Sequence, residues 1–289
     1  MPDAGRMPPE AAAFLPQHAG WRARLALGFV RENSRTVLAR RTHEGPLVVQ
    51  KPLYPEGDAV CQCIVVHPPG GIAGGDQLEL AVDVAAGAHA QLTTPGAAKW
   101  YRGAGREARQ RIDFRAAAGA VVEWLPQGTI VFDGAGATRA MRVELAPDAV
   151  YMGWDVVCLG RTASAERFER GQWRQRIDIL RGDALVWSER MSLRGASALL
   201  ASPVGLNGAP VFGTFVAMPP DFDDALLAAC RGLVPASGDG VVTRLPGALV
   251  ARYRGHSSEA AHDYFAAMWG QLRPCLTGRA AVPPRIWRT

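Results

Sequence analysis

The sequence predicts a mainly β protein with a layered or solenoid-like sheet architecture and about two α-helices towards the C-terminus. Three observations lead there. A strand–turn–strand unit recurs through the centre of the chain, marked by Leu80, Ile112 and Met141 at spacings of 32 and 29 residues. Most other apolar residues alternate with polar ones and are punctuated by glycine and proline. Only two segments carry a helical period.

Taken in order, residues 1–20 read as a loose Ala/Pro tail and 21–289 as one β-rich unit. Residues 24–30 and 36–40 alternate as strands do, and Gly45-Pro46 breaks the pattern. In the first central unit Leu78, Leu80, Val82 and Val84 alternate with Gln77, Glu79 and Asp83, before a turn at Gly87-Ala88. Ile112, Phe114 and Ala116 repeat the pattern before Gly119-Ala120, as do Met141, Val143 and Leu145 before Pro147-Asp148. Each unit is a strand with one buried face, a turn and a second strand. Stacked coils and a plain sandwich of similar hairpins both satisfy that alternation. Further strands are expected at 173–180, 184–193, 211–216 and 248–253.

The first helix is expected to begin at Asp221, with Phe222, Leu226, Cys230 and Leu233 on one stripe. The second begins after Ser257 as N-cap, with Ala261, Phe265, Met268 and Leu272 on one stripe, and Pro274 is expected to stop it.

The composition excludes several classes. With 289 residues and 48% hydrophobic residues, the chain can bury a sizeable core. Only 20% of residues are charged, so more apolar surface is left for partners than usual. The net charge of +5 comes almost entirely from arginine, since Lys51 and Lys99 are the only lysines. The arginines are spread along the chain, so no nucleic-acid tail is expected. Five cysteines without a CxxC pair fit a reducing, cytoplasmic setting rather than a disulfide framework. Neither a secretory leader nor an apolar run long enough for a membrane span is expected.

Residues 67–76 (HPPGGIAGGD) are the most distinctive stretch. They lack the G-K-[ST] ending of a phosphate loop and precede a strand, so a double turn closed by Asp76 is expected. Cys61, Cys63 and His67 share one strand face with Val65. They are a candidate soft-metal set, against the reading of two small buried thiols and a turn-capping imidazole. Glu123, Asp133, Asp155 and Glu166 lie in apolar or glycine-rich surroundings. Buried salt bridges to Arg139 or Arg161 and a hydrated internal passage are both open for them. No nucleophile–base arrangement supports a catalytic site.

The chain resembles the UreD (UreH) family of urease accessory proteins. The likeness is carried by residues 61–76, by 93–102 (TTPGAAKWYR), by 123–127 (EWLPQ) and by 130–135 (IVFDGA). It continues at 153–155 (GWD), 158–161 (CLGR), 272–274 (LRP) and 283–287 (PPRIW). It departs at Gly128, where the family usually has Glu. The resemblance implies a largely β fold and a non-catalytic chaperone for urease maturation. Its implied partners are apo-urease, a UreF-like helical protein and the GTPase UreG, with GTP bound by that partner. No tightly bound cofactor is implied. Nickel would pass transiently, with Asp76, Asp133, Asp155 and Glu166 as passage candidates, because oxygen ligands hold it loosely. The alternative is an independent nickel or zinc storage or delivery protein built on Cys61, Cys63 and His67.

Overall fold

The computed structural model describes residues 20–219 and 221–288. The expected tail therefore lies, apart from Gly20, outside the described residues. Seventeen strands and three helices are present among them. A hairpin of β1 (Arg22–Glu32) and β2 (Arg35–Glu44) leads to β3 (Val48–Val49) and β4 (Val60–Val66). Three coils follow. The first is β5 (Gln77–Val84) and β6 (His89–Thr93), with β7 (Ala98–Trp100) in the return segment. The second is β8 (Glu107–Ala116) and β9 (Val121–Leu125), with β10 (Thr129–Val131) after it, and the third is β11 (Gly136–Leu145) and β12 (Val150–Leu159). The hairpin of β13 (Gln172–Arg181) and β14 (Ala184–Arg194) precedes the short α1 (Ala198–Ala201) and β15 (Val211–Met218). The chain ends with α2 (Asp224–Arg231), the hairpin of β16 (Asp239–Leu245) and β17 (Ala248–Gly255), and α3 (Ser258–Thr277).

The strands form two stacked sheets. One runs β14-β13-β11-β8-β5-β1-β2; the other runs β16-β17-β15-β12-β9-β6-β4-β3, with β10 and β7 beside β12. Each coil places its first strand in one sheet and its second strand in the other, and successive coils pair in parallel. This is the solenoid-like alternative of the two. The sequence repeat is its register: Leu80 pairs with Ile112, and Ile112 with Met141. The column extends to Leu25 on one side and Ile177 on the other. All five side chains point into the core between the sheets. The turns after the first two units need left-handed backbone, supplied by Gly87 and Gly119 at φ +66° and +63°.

A second core lies outside the larger sheet, where α3 covers β12, β15 and β17 and α2 packs against α3 and β16. Strand β12 is buried on both faces for that reason. The helix boundaries differ from expectation in two places. The N-cap of α2 is Asp223, whose carboxylate accepts from Leu226 N at 2.7 Å; Asp221 instead accepts from Phe222 N. Pro274 lies inside α3, which runs on to Thr277. In the last turn a proline removes only one intrahelical bond. The end is secured by Thr277 Oγ1 donating to Arg273 O and by left-handed Gly278, whose N–H reaches Pro274 O.

The glycine-rich turn is a site of close approach. A Cβ on Gly74 would stand 2.5 Å from Gly103 O and 2.6 Å from Gly103 Cα. Both are backbone atoms and cannot rotate away. Gly74→Ala is therefore expected to lower stability by about 1–3 kcal/mol, read as a drop in denaturation midpoint. A midpoint equal to wild type would contradict this packing.

Candidate functional site

Alternation along β12 turns Asp155 inward, between the two sheets. It is 3% exposed. Arg139 of β11 donates to its Oδ1 through Nη1, and Gln175 of β13 donates to Oδ2 at 2.6 Å. The same Arg139 Nη1 reaches Thr129 Oγ1 at 3.5 Å. A buried carboxylate is tolerated only with such partners.

Asp133 and Glu166 meet at the rim. Asp133 N donates to Glu166 Oε2 at 3.4 Å. Asp133 Oδ1 accepts from the backbone N–H groups of Glu169 and Arg170, and Oδ2 from Arg170 Nε at 3.0 Å. Burial raises the Asp133 carboxyl, but Arg170 and the two N–H groups outweigh it and hold it below the ordinary range. Arg161 clasps Glu166 with Nε at 3.1 Å and Nη2 at 3.0 Å, which lowers that carboxyl too, against burial. The guanidinium of Arg161 also lies 4.8 Å from the centre of the Phe132 ring.

Asp76 closes the glycine-rich turn as expected, accepting from Ala73 N at 2.8 Å. Its other oxygen accepts from Trp21 N at 2.8 Å, tying β1 to the turn. The four passage candidates are thus not one continuous row. Asp133 and Glu166 are brought together, Asp155 sits within the sheets, and Asp76 serves its turn.

Cys61, Cys63 and Val65 are buried on the inner face of β4, while His67 lies just beyond the strand. Cys61 and Cys63 interact with each other: Cys61 is lowered by its hydrogen bond to Cys63, against burial, and Cys63 is pushed up correspondingly. His67 is not part of that pair. At about 3.3 Å rise per residue, the four residues from Cys63 to His67 span roughly 13 Å, too far for one metal. No group of three or more His, Cys, Asp or Glu among the described residues is arranged to hold a metal ion.

Glu123 faces away from the inter-sheet core, and it has the most elaborate set of partners. Its Oε1 lies 2.9 Å from His89 Nε2 and accepts from Arg273 Nε of α3 at 2.7 Å. Its Oε2 accepts from Gln91 at 2.8 Å. Arg273 continues to both oxygens of Glu56, at 2.6 and 3.0 Å, and to Ala280 O. Burial alone would raise Glu123, yet His89 and Arg273 hold its pKa at about 2. Sequence reasoning flagged Glu123 but missed Arg273 and Glu56. For Arg273 the available signals are its place in the 272–274 motif and a charge beside the apolar stripe of α3.

Gly128 explains how the chain departs from the usual LPQE. It adopts φ +123°, and a Cβ there would lie 3.1 Å from Val156 O. A glutamate at this position requires a different local backbone.

Every carboxylate singled out from the sequence is engaged by arginine, histidine or backbone N–H. Fold and site together define a layered β scaffold whose singled-out carboxylates are matched by partners within the chain. The model of the family described as UreD urease accessory protein matches residues 21–288. The chain belongs to that family. It is 53% identical to a urease accessory protein UreD of Dechloromonas aromatica, over 95% of this chain and 97% of the relative. It is 52% identical to the one of Azoarcus sp., over 93% and 95%, and 48% identical to the one of Nitrosococcus oceani, over 99% and 96%. Membership in a family of accessory proteins implies an assembly role rather than catalysis. No helix among the described residues is long and apolar enough to cross a membrane.

Proposed function

We propose that this chain is a scaffold for nickel insertion into urease, binding apo-urease and a UreF-like helical protein through which a UreG-like GTPase is recruited. The family match over residues 21–288 carries this reading. GTP belongs to the GTPase: the glycine-rich turn ends in Asp76 and runs into β5 rather than a helix. Nickel is cargo, passed on rather than kept. Carboxylates suit that task, because oxygen donors release nickel more readily than thiolates do. Asp155, with Asp133, Glu166 and Asp76 towards the surface, supplies them. In the chain alone, arginines match the first three, so the passage opens within the assembled complex. Five unpaired cysteines favour a cytoplasmic setting.

Co-expression with urease subunits and the other accessory proteins tests the reading. The chain is expected to co-purify with urease and the UreF-like protein, and its deletion to leave urease poor in nickel by metal analysis. A chain that binds neither, with urease fully loaded in its absence, would refute it. Glu166→Ala is expected to lower urease nickel while leaving co-purification intact; unchanged loading removes Glu166 from the passage.

A further inference from the structure

The glycine-rich turn acquires in three dimensions the lysine that it lacks in sequence. Ile72 pairs in parallel with Trp100, with Ile72 N donating to Lys99 O at 2.7 Å and Tyr101 N to Ile72 O at 2.8 Å. Strand β7 therefore lies alongside the glycine-rich turn at Ile72. Between them opens a cleft of about 350 Å³ that runs inward between the sheets. Gly70, Pro95, Gly96 and Lys99 are exposed at its mouth.

The lining has an unusual chemical balance. Leu47, Val65, Ile72, Leu78 and Leu80 make an apolar wall. The charged side chains on it are Lys99 and Arg139, and no carboxylate lines it. Arg139 is neutralised by Asp155. Lys99 has no ion-pair partner among the described residues. Two buried polar atoms on the lining also lack partners there: Trp124 Nε1 and His67 Nε2. Trp124 is 4% exposed, and an indole N–H can only donate. Burial keeps the His67 imidazole below its ordinary value, against the pull of Asp76, so it adds no second full charge at neutral pH. Gln110 supplies an amide on the same wall.

One uncompensated ammonium and an unpartnered buried donor disfavour a bare cation and favour a monoanion. A phosphate dianion would be left half-compensated, and it would leave the apolar wall uncovered. The volume lies within the range of small-molecule sites. We propose that this cleft binds a small organic carboxylate, its head at Lys99 and its apolar body against Leu78, Leu80 and Val65. The cleft adjoins Asp155 through Arg139 and Asp76 through His67, but none of the proposed nickel carboxylates lines it, and the site stands whether or not nickel passes them.

Benzoate, benzyl alcohol, inorganic phosphate and nickel chloride are the probes, titrated into the purified full chain by calorimetry and nitrogen–proton correlation spectroscopy. Benzoate is expected to bind saturably and to shift the Trp124 indole resonance, identified as the one missing in Trp124→Phe. Lys99→Gln, an exposed change, is expected to keep the ligand-free melting temperature and to weaken benzoate about tenfold or more. Gln110→Glu places a carboxylate on the wall and should weaken it as well. The proposal is overturned if benzoate does not bind, if Lys99→Gln binds it as wild type does, or if benzyl alcohol binds equally well. Tighter binding of phosphate, or nickel binding lost in His67→Ala, would also overturn it.

Discussion

Arg273→Met is expected to destabilise the protein by about 3–5 kcal/mol, the cost typical of stranding a buried charge. Methionine fills much of the space but leaves Glu123, which is fully buried, with His89 and Gln91 alone, and leaves Glu56 without its guanidinium. The same network predicts how wild-type stability depends on acid. The pKa of Glu123 is about 2 in the folded chain, against 4.5 as its ordinary value. Its stabilising contribution is therefore complete above about pH 4.5 and is lost as the pH falls towards 2. Linkage puts that contribution at about 3 kcal/mol. Asp133 and Glu166, also held low, add in the same direction. Denaturant titrations of wild type and Glu123→Gln between pH 7 and pH 3 measure this directly. Wild type should lose stability more steeply than Glu123→Gln below pH 4.5. Parallel curves would show that Glu123 is not the group responsible. In the double variant Arg273→Met/Glu123→Gln the losses should not add, because the charge stranded by the first change is removed by the second.

The second large effect concerns the ion pair between the sheets. Asp155→Ala leaves Arg139 buried without its counter-ion, for which a loss of about 3–5 kcal/mol is expected. Urease matured with this variant should also be low in nickel if Asp155 takes part in the proposed passage. Stability alone could produce that deficit, so the double variant Arg139→Met/Asp155→Leu is the informative one. Replacing both partners by apolar side chains is often neutral or stabilising. Its melting temperature should therefore lie well above that of Asp155→Ala. If nickel content nevertheless stays low, the carboxylate itself is needed. Nickel content that recovers with stability would assign Asp155 a purely architectural role.

Much of the fold is legible because its determinants are local. Alternation is a property of a few adjacent residues, and in a coiled β architecture the same alternation recurs each time the chain returns. Leu80, Ile112 and Met141 align on their alternation alone, and they pair as that alignment requires. Ser257 and the stripe through Ala261, Phe265, Met268 and Leu272 were readable for the same reason, since cap and face lie within one helix. Where local rules compete, neighbouring residues do not decide the outcome. Proline argued for a stop at 274, but one lost bond in the last turn was outweighed by the cap that follows. Asp221 and Asp223 both carry a capping side chain, and nothing local separates them.

By itself, then, the sequence determined the mainly β class, the spacing of the coils, the stripe that α3 buries and, through its ordered motifs, the family. Tertiary structure decided what the charged groups do. Glu56 and Arg273 are 217 residues apart, and Glu123 and Arg273 are 150 apart, yet they share one buried network. Cys63 and His67 are four residues apart, but His67 lies beyond the end of β4 and the packed chain gathers no group of three metal-ligating residues among the described residues. Lys99 lies far along the chain from the glycine-rich turn and is placed beside it by β7. The physical reason is the same in each case. Hydrophobic periodicity is encoded over neighbouring residues, whereas charge pairing depends on distances through space, which only the packed sheets and helix set.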